Sequence, residues 1–268
     1  MRLAACLALV LLTAGCAAEK ARERPLRAQQ VIELGQQGQA AFFQGDLARA
    51  ARLFHRALTD AMRIEDSEGV AIMSINLARV ARESGDSAGG LARLDAVSSW
   101  HRRNLTAKAD QEMELLAAVL LSDLGQPDPA LMRLQALRDQ CQYVCDMALG
   151  LDSLQARLIL EKGDAASATR LANAAIERFR NTADRLELAN LFRVLGEAHL
   201  ALGDFQAARQ SLENGLSIDK SLGLPGKIAL DLEALARTAL AAKDTTAHAG
   251  YVARLEEVRL TRAGKSTR

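Results

Sequence analysis

The chain has 268 residues, 49% of them hydrophobic and 25% charged, which is the composition of a folded protein and not of a disordered one. Aromatic residues make up only 3%, while the helix formers alanine, leucine and arginine dominate, so we expect an all-α protein. Lysine and arginine number 34 against 33 acidic residues, a balance that gives no reason to expect a nucleic-acid partner.

The first 15 residues have the features of a secretory signal peptide. Arg2 supplies a short positive region, residues 3–12 form an unbroken apolar run, and the small residues 13–15 follow. Such a run is too short to span the roughly 30 Å hydrocarbon core of a bilayer. We therefore expect residues 1–15 to be removed from the mature protein.

A cysteine comes directly after this segment. Residues 12–16, LTAGC, resemble the lipobox of bacterial lipoproteins, with Thr13 where that family usually has leucine. The resemblance implies cleavage before Cys16, acylation of this cysteine and a stable membrane anchor. Ala17 follows instead of aspartate, which in the resembling family favours the outer membrane, with the protein facing the periplasm. The alternative is an ordinary signal peptide cut near Ala18.

A turn signal then recurs at nearly constant intervals. It lies at Gly45, Gly85, Gly125, Gly163, Gly203 and Lys243, with successive spacings of 40, 40, 38, 40 and 40 residues. Glycine permits the left-handed backbone that ends a helix, and the aspartate that follows at five of these turns can cap the next helix. Apolar residues around the turns recur at helical spacing, as in Leu188, Leu191, Phe192 and Leu195. The sequence thus predicts six helical hairpins.

The repeated unit resembles the tetratricopeptide repeat family. The residues that carry the resemblance best are Leu195, Gly196, Gly203, Asp204, Phe205, Ala208 and Leu212, followed by Gly38, Gly45, Asp46, Leu47, Ala50, Phe54 and Ala57. The period of 40 exceeds the family's commonest period of about 34 residues, and the sixth unit departs from the pattern at Lys243 and His248, as a terminal cap does. The resemblance implies a right-handed α-solenoid of about six helix-turn-helix units, whose first helices line a concave groove for a protein or peptide partner.

These signals divide the chain into four segments. Residues 1–15 are the signal peptide, residues 16–30 the lipidated cysteine and a charged tether, residues 31–258 the superhelical domain, and residues 259–268 a flexible tail. No long low-complexity stretch interrupts the third segment, so we expect one domain there.

The sequence contains few patterns that could support catalysis or bind a metal or cofactor. The histidines His55, His101, His199 and His248 fall in different hairpins, with no other ligand at suitable spacing. Phosphate-binding loops, nucleophile elbows and the zinc-binding H-E-x-x-H motif do not occur. We therefore expect no enzymatic activity, no metal and no cofactor.

Two further cysteines, Cys141 and Cys145, lie near the link between the third and fourth units. An oxidising periplasm favours a disulfide between them, although a separation of four residues within a helix would strain it and requires a local loop. Free buried thiols, or metal or redox chemistry, are the alternatives.

Positions three, six and ten residues before each turn share one face of the first helix. In the resembling family this face lines the groove, which gives the candidate partner-binding residues Arg79, Arg82, Arg157, Arg193, Glu197 and Arg237. Arginine offers a bidentate fork for carboxylates and an apolar stem for packing. The alternative is that these arginines pair with neighbouring glutamates or are solvated.

Three functions follow as hypotheses. The first is a membrane-anchored periplasmic scaffold that helps to assemble an envelope machine for secretion, pili, polysaccharide or cell wall. The second is a protein that binds a small molecule or lipid in the superhelical cavity, and the third is a cytosolic peptide-sensing regulator whose signal is not cleaved. Membrane attachment favours the first two. A groove that mixes arginine with leucine suits an extended peptide better than a wholly apolar ligand, which favours the first over the second.

Overall fold

The computed structural model describes residues 26–141 and 147–265, with side chains to residue 260. Within these ranges the chain forms thirteen α-helices and no strand. The helices are α1 (Leu26–Phe43), α2 (Leu47–Arg63), α3 (Ser67–Glu83), α4 (Ser87–Asp95), α5 (Ser99–Arg103), α6 (Ala107–Asp123), α7 (Pro127–Gln140), α8 (Ala148–Glu161), α9 (Ala165–Phe179), α10 (Arg185–Ala201), α11 (Phe205–Ser221), α12 (Pro225–Ala241) and α13 (Thr245–Lys265). Helix therefore covers part of the segments expected to be tether and tail.

Twelve of these helices pair into six hairpins, and the short helix α5 is inserted between the second and the third. The pairs are α1–α2, α3–α4, α6–α7, α8–α9, α10–α11 and α12–α13. The first helices also contact one another in sequence, α1 with α3, α3 with α6, α6 with α8, α8 with α10, and α10 with α12. This regular stacking confirms the predicted all-α repeat solenoid.

The predicted turns join the two helices of each hairpin. The glycines at five turns have φ between 69° and 89°, and Lys243 at the sixth has φ of 61°, so all six residues adopt the left-handed conformation. The aspartate after the turn caps the next helix, as where the Asp204 carboxylate accepts a hydrogen bond of 3.0 Å from the Ala207 amide. At the third turn Gln126 makes no such bond, and Pro127 begins the helix instead.

Apolar side chains are buried in four clusters that follow one another along the array. The first runs from α1 to α6 and encloses Phe54 and Met113, and the last runs from α11 to α13 around Leu212 and Leu235. Every cluster takes residues from neighbouring hairpins. The core therefore exists only because the hairpins stack, as in other repeat proteins.

The array curls until its two ends face each other. A small cavity of about 80 Å³ lies between the ends of α1 and α3 and the beginnings of α10 and α12. We call this contact region the seam, and its principal residues are Phe42, Phe43, Glu83, Leu186, Leu224 and Lys227. Because residues of the first two hairpins and of the last two line the same cavity, the row of first helices curves round and the inner face of the solenoid is concave.

Candidate functional site: the concave face

The six predicted groove residues all lie on first helices, where the sequence placed them. Arg79 and Arg82 are in α3, Arg157 is in α8, Arg193 and Glu197 are in α10, and Arg237 is in α12. Their environments differ, and only one arginine of the five is without an ion pair among the described residues. Their role in binding a partner remains a prediction.

Arg82 and Arg157 belong to a chain of charges that crosses three hairpins. The Arg82 guanidinium binds the Asp123 carboxylate through Nε, and through Nη2 at 3.3 Å. Nη1 of Arg157 lies 3.2 Å from the same carboxylate, and its Nη2 donates to the Val119 carbonyl oxygen at 3.1 Å. Glu161 lies 3.4 Å from Nε of Arg157 and extends the chain. These arginines tie α3, α6 and α8 together.

Arg237 and Glu197 form a more exposed pair. Nη2 of Arg237 donates to the Glu197 carboxylate at 3.1 Å, which links α12 to α10. More than half of the Arg237 side chain is exposed. Surface pairs of this kind contribute about 0–1 kcal/mol, so either side chain could exchange its partner for a ligand at little cost.

Arg193 is buried in a polar cluster between the fifth and sixth hairpins. Its side chain is 11% exposed, and its Nε and Nη2 donate at 2.6 Å to Asp231 and Asp219, which are both 0% exposed. Its Nη1 donates to the Asn190 side chain at 2.9 Å, and Lys227 donates to the same amide oxygen at 3.2 Å. Arg193 thus links α10 to α11 and α12.

The two buried aspartates were missed by the sequence reasoning. Burial raises the pKa of Asp219 to about 7, with a further increase from Asp231 and an opposing effect of Arg193. Burial also lowers the pKa of Lys227 to about 8. The signal in the sequence was an acidic residue on a mostly apolar helix face, Asp219 between Leu216 and Leu222, and Asp231 between Ile228 and Leu235.

Arg79 is the one predicted groove arginine that forms no ion pair within the described part of the chain. Its side chain is exposed and makes a single long hydrogen bond, of 3.4 Å, to Asn76 on its own helix. The surrounding protein nevertheless desolvates the guanidinium and lowers its pKa, while Glu112 and Glu187 act in the opposite direction. These glutamates lie on α6 and α10, so the charge of Arg79 is stabilised by carboxylates of two other first helices.

An apolar cleft of about 460 Å³ lies between α1 and α3, and the sequence reasoning did not anticipate it. Ile32 and Ile72, which are 36% and 44% exposed, line it. Gly35 has no side chain to fill it, and Met73 packs against this glycine, so that an added Cβ would lie 2.9 Å from the Met73 methyl group. The cleft is bordered by the amide side chains of Gln36, Gln39 and Asn76. The signal was an isoleucine thirteen residues before each of the first two turns.

The remaining candidates lie apart from this face. Two histidines make hydrogen bonds of 3.0 Å to neighbouring helices, His101 with the Ser67 hydroxyl on α3 and His248 with the Ala236 carbonyl oxygen on α12. Across residues 26–141 and 147–265, no group of three or more side chains could hold a metal ion. In the same ranges no helix is both long and apolar enough to cross a bilayer.

The cysteine predictions fall largely outside the described part of the chain. Cys141 takes part in a disulfide, directly after α7 ends. Cys145 and Cys16 both lie outside the described residues. The pairing of Cys141 with Cys145 and the lipidation of Cys16 therefore stay predictions.

The fold is an all-α repeat solenoid, and it is similar to solved structures of tetratricopeptide-repeat proteins. The Rap protein in complex with competence and sporulation factor superposes with a TM-score of 0.65 at 13% identity, over 88% of this chain and 76% of Rap. A signal transduction ATPase from Pyrococcus horikoshii with a tetratricopeptide repeat sensor gives 0.60 at 14% identity, over 90% of this chain but only 36% of the ATPase. The pilF protein of Pseudomonas aeruginosa gives 0.53 at 15% identity, over 90% of this chain and 98% of pilF.

At these identities the likeness concerns the fold alone. No protein-family model matches the chain, and no curated protein matches it.

Proposed function

We propose that this protein is an interaction scaffold whose concave face holds an extended segment of a partner protein. The observation that carries the proposal is the continuous surface formed on α1 and α3 by the apolar cleft, the amides beside it and Arg79. Exposed isoleucines beside exposed polar side chains are typical of a binding surface.

The chemistry of this surface suits a peptide. The side chains of Gln36, Gln39 and Asn76 can each donate and accept, as the backbone of an extended segment requires. The cleft accepts an apolar side chain, and Arg79 offers its fork to a carboxylate. Arg79 is seven residues beyond Ile72 on the same helix, or about 10 Å, which an extended chain spans in about three residues. The preferred ligand thus combines an apolar residue with an acidic one about three positions away.

We further propose that Cys16 carries a lipid and holds the scaffold on the outer membrane, facing the periplasm. The support is the LTAGC sequence after the apolar leader, together with Ala17. A scaffold in this position would serve the assembly of an envelope machine. Several acyl chains, at about 0.8 kcal/mol for each buried CH₂, would suffice for stable attachment.

The groove is tested by crosslinking in cells that express the full chain. A photoreactive residue at Gln36 or Asn76 should capture a partner, whereas one at Met132 on α7, which is 75% exposed, should not. Arg79→Glu should reduce capture at least tenfold and leave the helical content unchanged. The matched control is Arg56→Glu, since Arg56 is an exposed arginine on α2. Equal losses in both variants, or the same captured proteins at Met132, would contradict the proposal.

Charge reversal at Arg157 and Arg193, which are also predicted groove residues, would test the groove less cleanly than charge reversal at Arg79. Reversal at Arg193 leaves Asp219 and Asp231 buried without their cation, and loss of one partner of a buried pair costs about 3–5 kcal/mol. A loss of capture would then report unfolding.

The anchor is tested separately by Cys16→Ser. This variant should leave the membrane fraction and be recovered in soluble form, while fatty-acid labelling of the chain should be lost. Retention in the membrane at the level of the unsubstituted protein would refute the anchor and leave the groove proposal unaffected.

A further inference from the structure

In the buried cluster between the fifth and sixth hairpins, only two of the four carboxylate oxygens of Asp219 and Asp231 accept a hydrogen bond. Arg193 serves one oxygen of each aspartate, Oδ2 of Asp219 and Oδ1 of Asp231. The other two oxygens, Asp219 Oδ1 and Asp231 Oδ2, are buried and have no donor. Buried acceptors without a donor are destabilising, and two carboxylates side by side also repel each other. A single proton shared between the carboxyl groups would remove both penalties.

We propose that Asp219 and Asp231 form a one-proton switch that sets how firmly the sixth hairpin packs on the fifth. The switch goes beyond the proposed partner binding and does not depend on it. It rests on the positions of the two aspartates, which lie on α11 and α12, so that they face each other across the junction of the hairpins.

The charged groups around Asp219 and Asp231 influence the pH at which this pair releases its proton. Arg193 on α10 and Lys227 on α12 favour the ionised form of Asp219, whereas Asp231 opposes it. Lys227 in turn faces Arg193 and Glu187 on α10, and Arg82 and Glu83 at the end of α3. Burial is the largest influence and raises the pKa of Asp219 to about 7, so its protonation changes near neutral pH.

The sign of the effect follows from proton linkage. The folded chain keeps the proton of Asp219 at pH values where an unfolded aspartate, with a pKa of about 3.9, has already released it. The stabilisation is therefore complete below pH of about 4 and is lost as the pH rises through about 7. Above that pH the sixth hairpin is held less firmly, and with it the beginning of α12 at the seam.

The decisive variant is Asp219→Asn in the full chain. The asparagine oxygen can accept from Arg193 while its NH₂ group donates to Asp231, so it imitates the protonated state at every pH. The unfolding midpoint of the unsubstituted protein should fall by roughly 5–10 °C more than that of Asp219→Asn between pH 5 and pH 8. At pH 8 the variant should be the more stable protein.

Asp152→Asn is the matched control, because Asp152 is also buried but has both oxygens satisfied. Arg138 and Arg178 each donate to it at 2.8 Å. Its replacement should lower the midpoint at pH 5 and at pH 8 alike. If Asp219→Asn behaves in the same way as Asp152→Asn, the switch is refuted.

A second measurement uses only the unsubstituted protein, so it does not depend on whether a variant folds. The carboxyl carbon of Asp219, followed by NMR in the unsubstituted protein, should titrate near pH 7. Amide exchange in α12 and α13, corrected for its intrinsic pH dependence, should accelerate over the same range. A carboxyl midpoint below pH 5 would overturn the proposal.

Discussion

Replacing Gly196 with alanine tests whether the helices of a hairpin are in contact at that glycine. A Cβ at this position would lie 2.5 Å from Cγ of Leu212, 2.8 Å from its Cδ2 and 3.1 Å from the carbonyl oxygen of Ala208. Both neighbours are fully buried. Rotation about the Cβ–Cγ bond of Leu212 leaves its Cγ in place, and rotation about the Cα–Cβ bond would move the whole branched end of the side chain into the packed core around it. The helices α10 and α11 would have to separate.

The magnitude follows from two opposing contributions. Overpacking a core costs about 1–3 kcal/mol, and a contact of 2.5 Å belongs at the upper end. Alanine in a helix interior regains about 0.5–1 kcal/mol relative to glycine. We therefore expect Gly196→Ala to lower the free energy of unfolding by about 1–2 kcal/mol.

Gly250 supplies the matched control. It lies in α13, where an added Cβ meets nothing within 4 Å, so Gly250→Ala should stabilise the protein by about 0.5–1 kcal/mol. Denaturant unfolding followed by circular dichroism compares the two variants. A double-mutant cycle then identifies the cause, since Gly196→Ala should cost much less when Leu212 is already alanine, because only the 3.1 Å contact with the Ala208 carbonyl oxygen remains. A stabilising Gly196→Ala, or an equal cost with and without Leu212, would refute the reasoning.

Two further predictions concern single side chains. Lys243 occupies the left-handed conformation that glycine has at the other five turns, so Lys243→Gly should raise the free energy of unfolding by about 0.5–1 kcal/mol, and an unchanged unfolding midpoint would contradict this. Lys227→Met should move the Asp219 carboxyl midpoint in NMR to higher pH, because the ammonium group favours the ionised carboxylate. It should also remove a rise in stability above pH 8, since the folded chain releases the Lys227 proton at about pH 8 and an unfolded lysine does so near 10.4.

The hairpins were predictable because their determinants are local. At Gly203 and Asp204 the residue types themselves dictate a left-handed turn and a helix cap, and the structure has both. The short helix α5 was not predicted, since its five residues carry no periodicity and its cap is a lone Ser98. The curl of the array was also beyond the sequence, because it accumulates from small rotations at every junction.

Pairing of the groove arginines with neighbouring glutamates was one of the two alternatives that the sequence left open, but their particular partners were not identified, for a different reason. Arg82 and Asp123 are 41 residues apart, Arg193 and Asp231 38, and Arg237 and Glu197 40. These separations are one repeat period, so opposite charges one period apart on the first helices were a usable signal. The pair of Arg193 with Asp219, 26 residues apart, crosses between the two helices of one hairpin, and no such rule reveals it.

The seam changes how the unfolding of one terminal hairpin affects the rest of the molecule. In an open row of repeats each unit is held by its neighbours alone, so a terminal hairpin can fray while the rest stays folded. Here residues from both ends, Phe42 of the first hairpin, Glu83 of the second and Lys227 of the sixth, also line one narrow cavity, and Glu83 favours the charged form of Lys227. A change of packing at either end therefore alters the surroundings of side chains at the other, so we expect the two ends to loosen together more readily than in an open row.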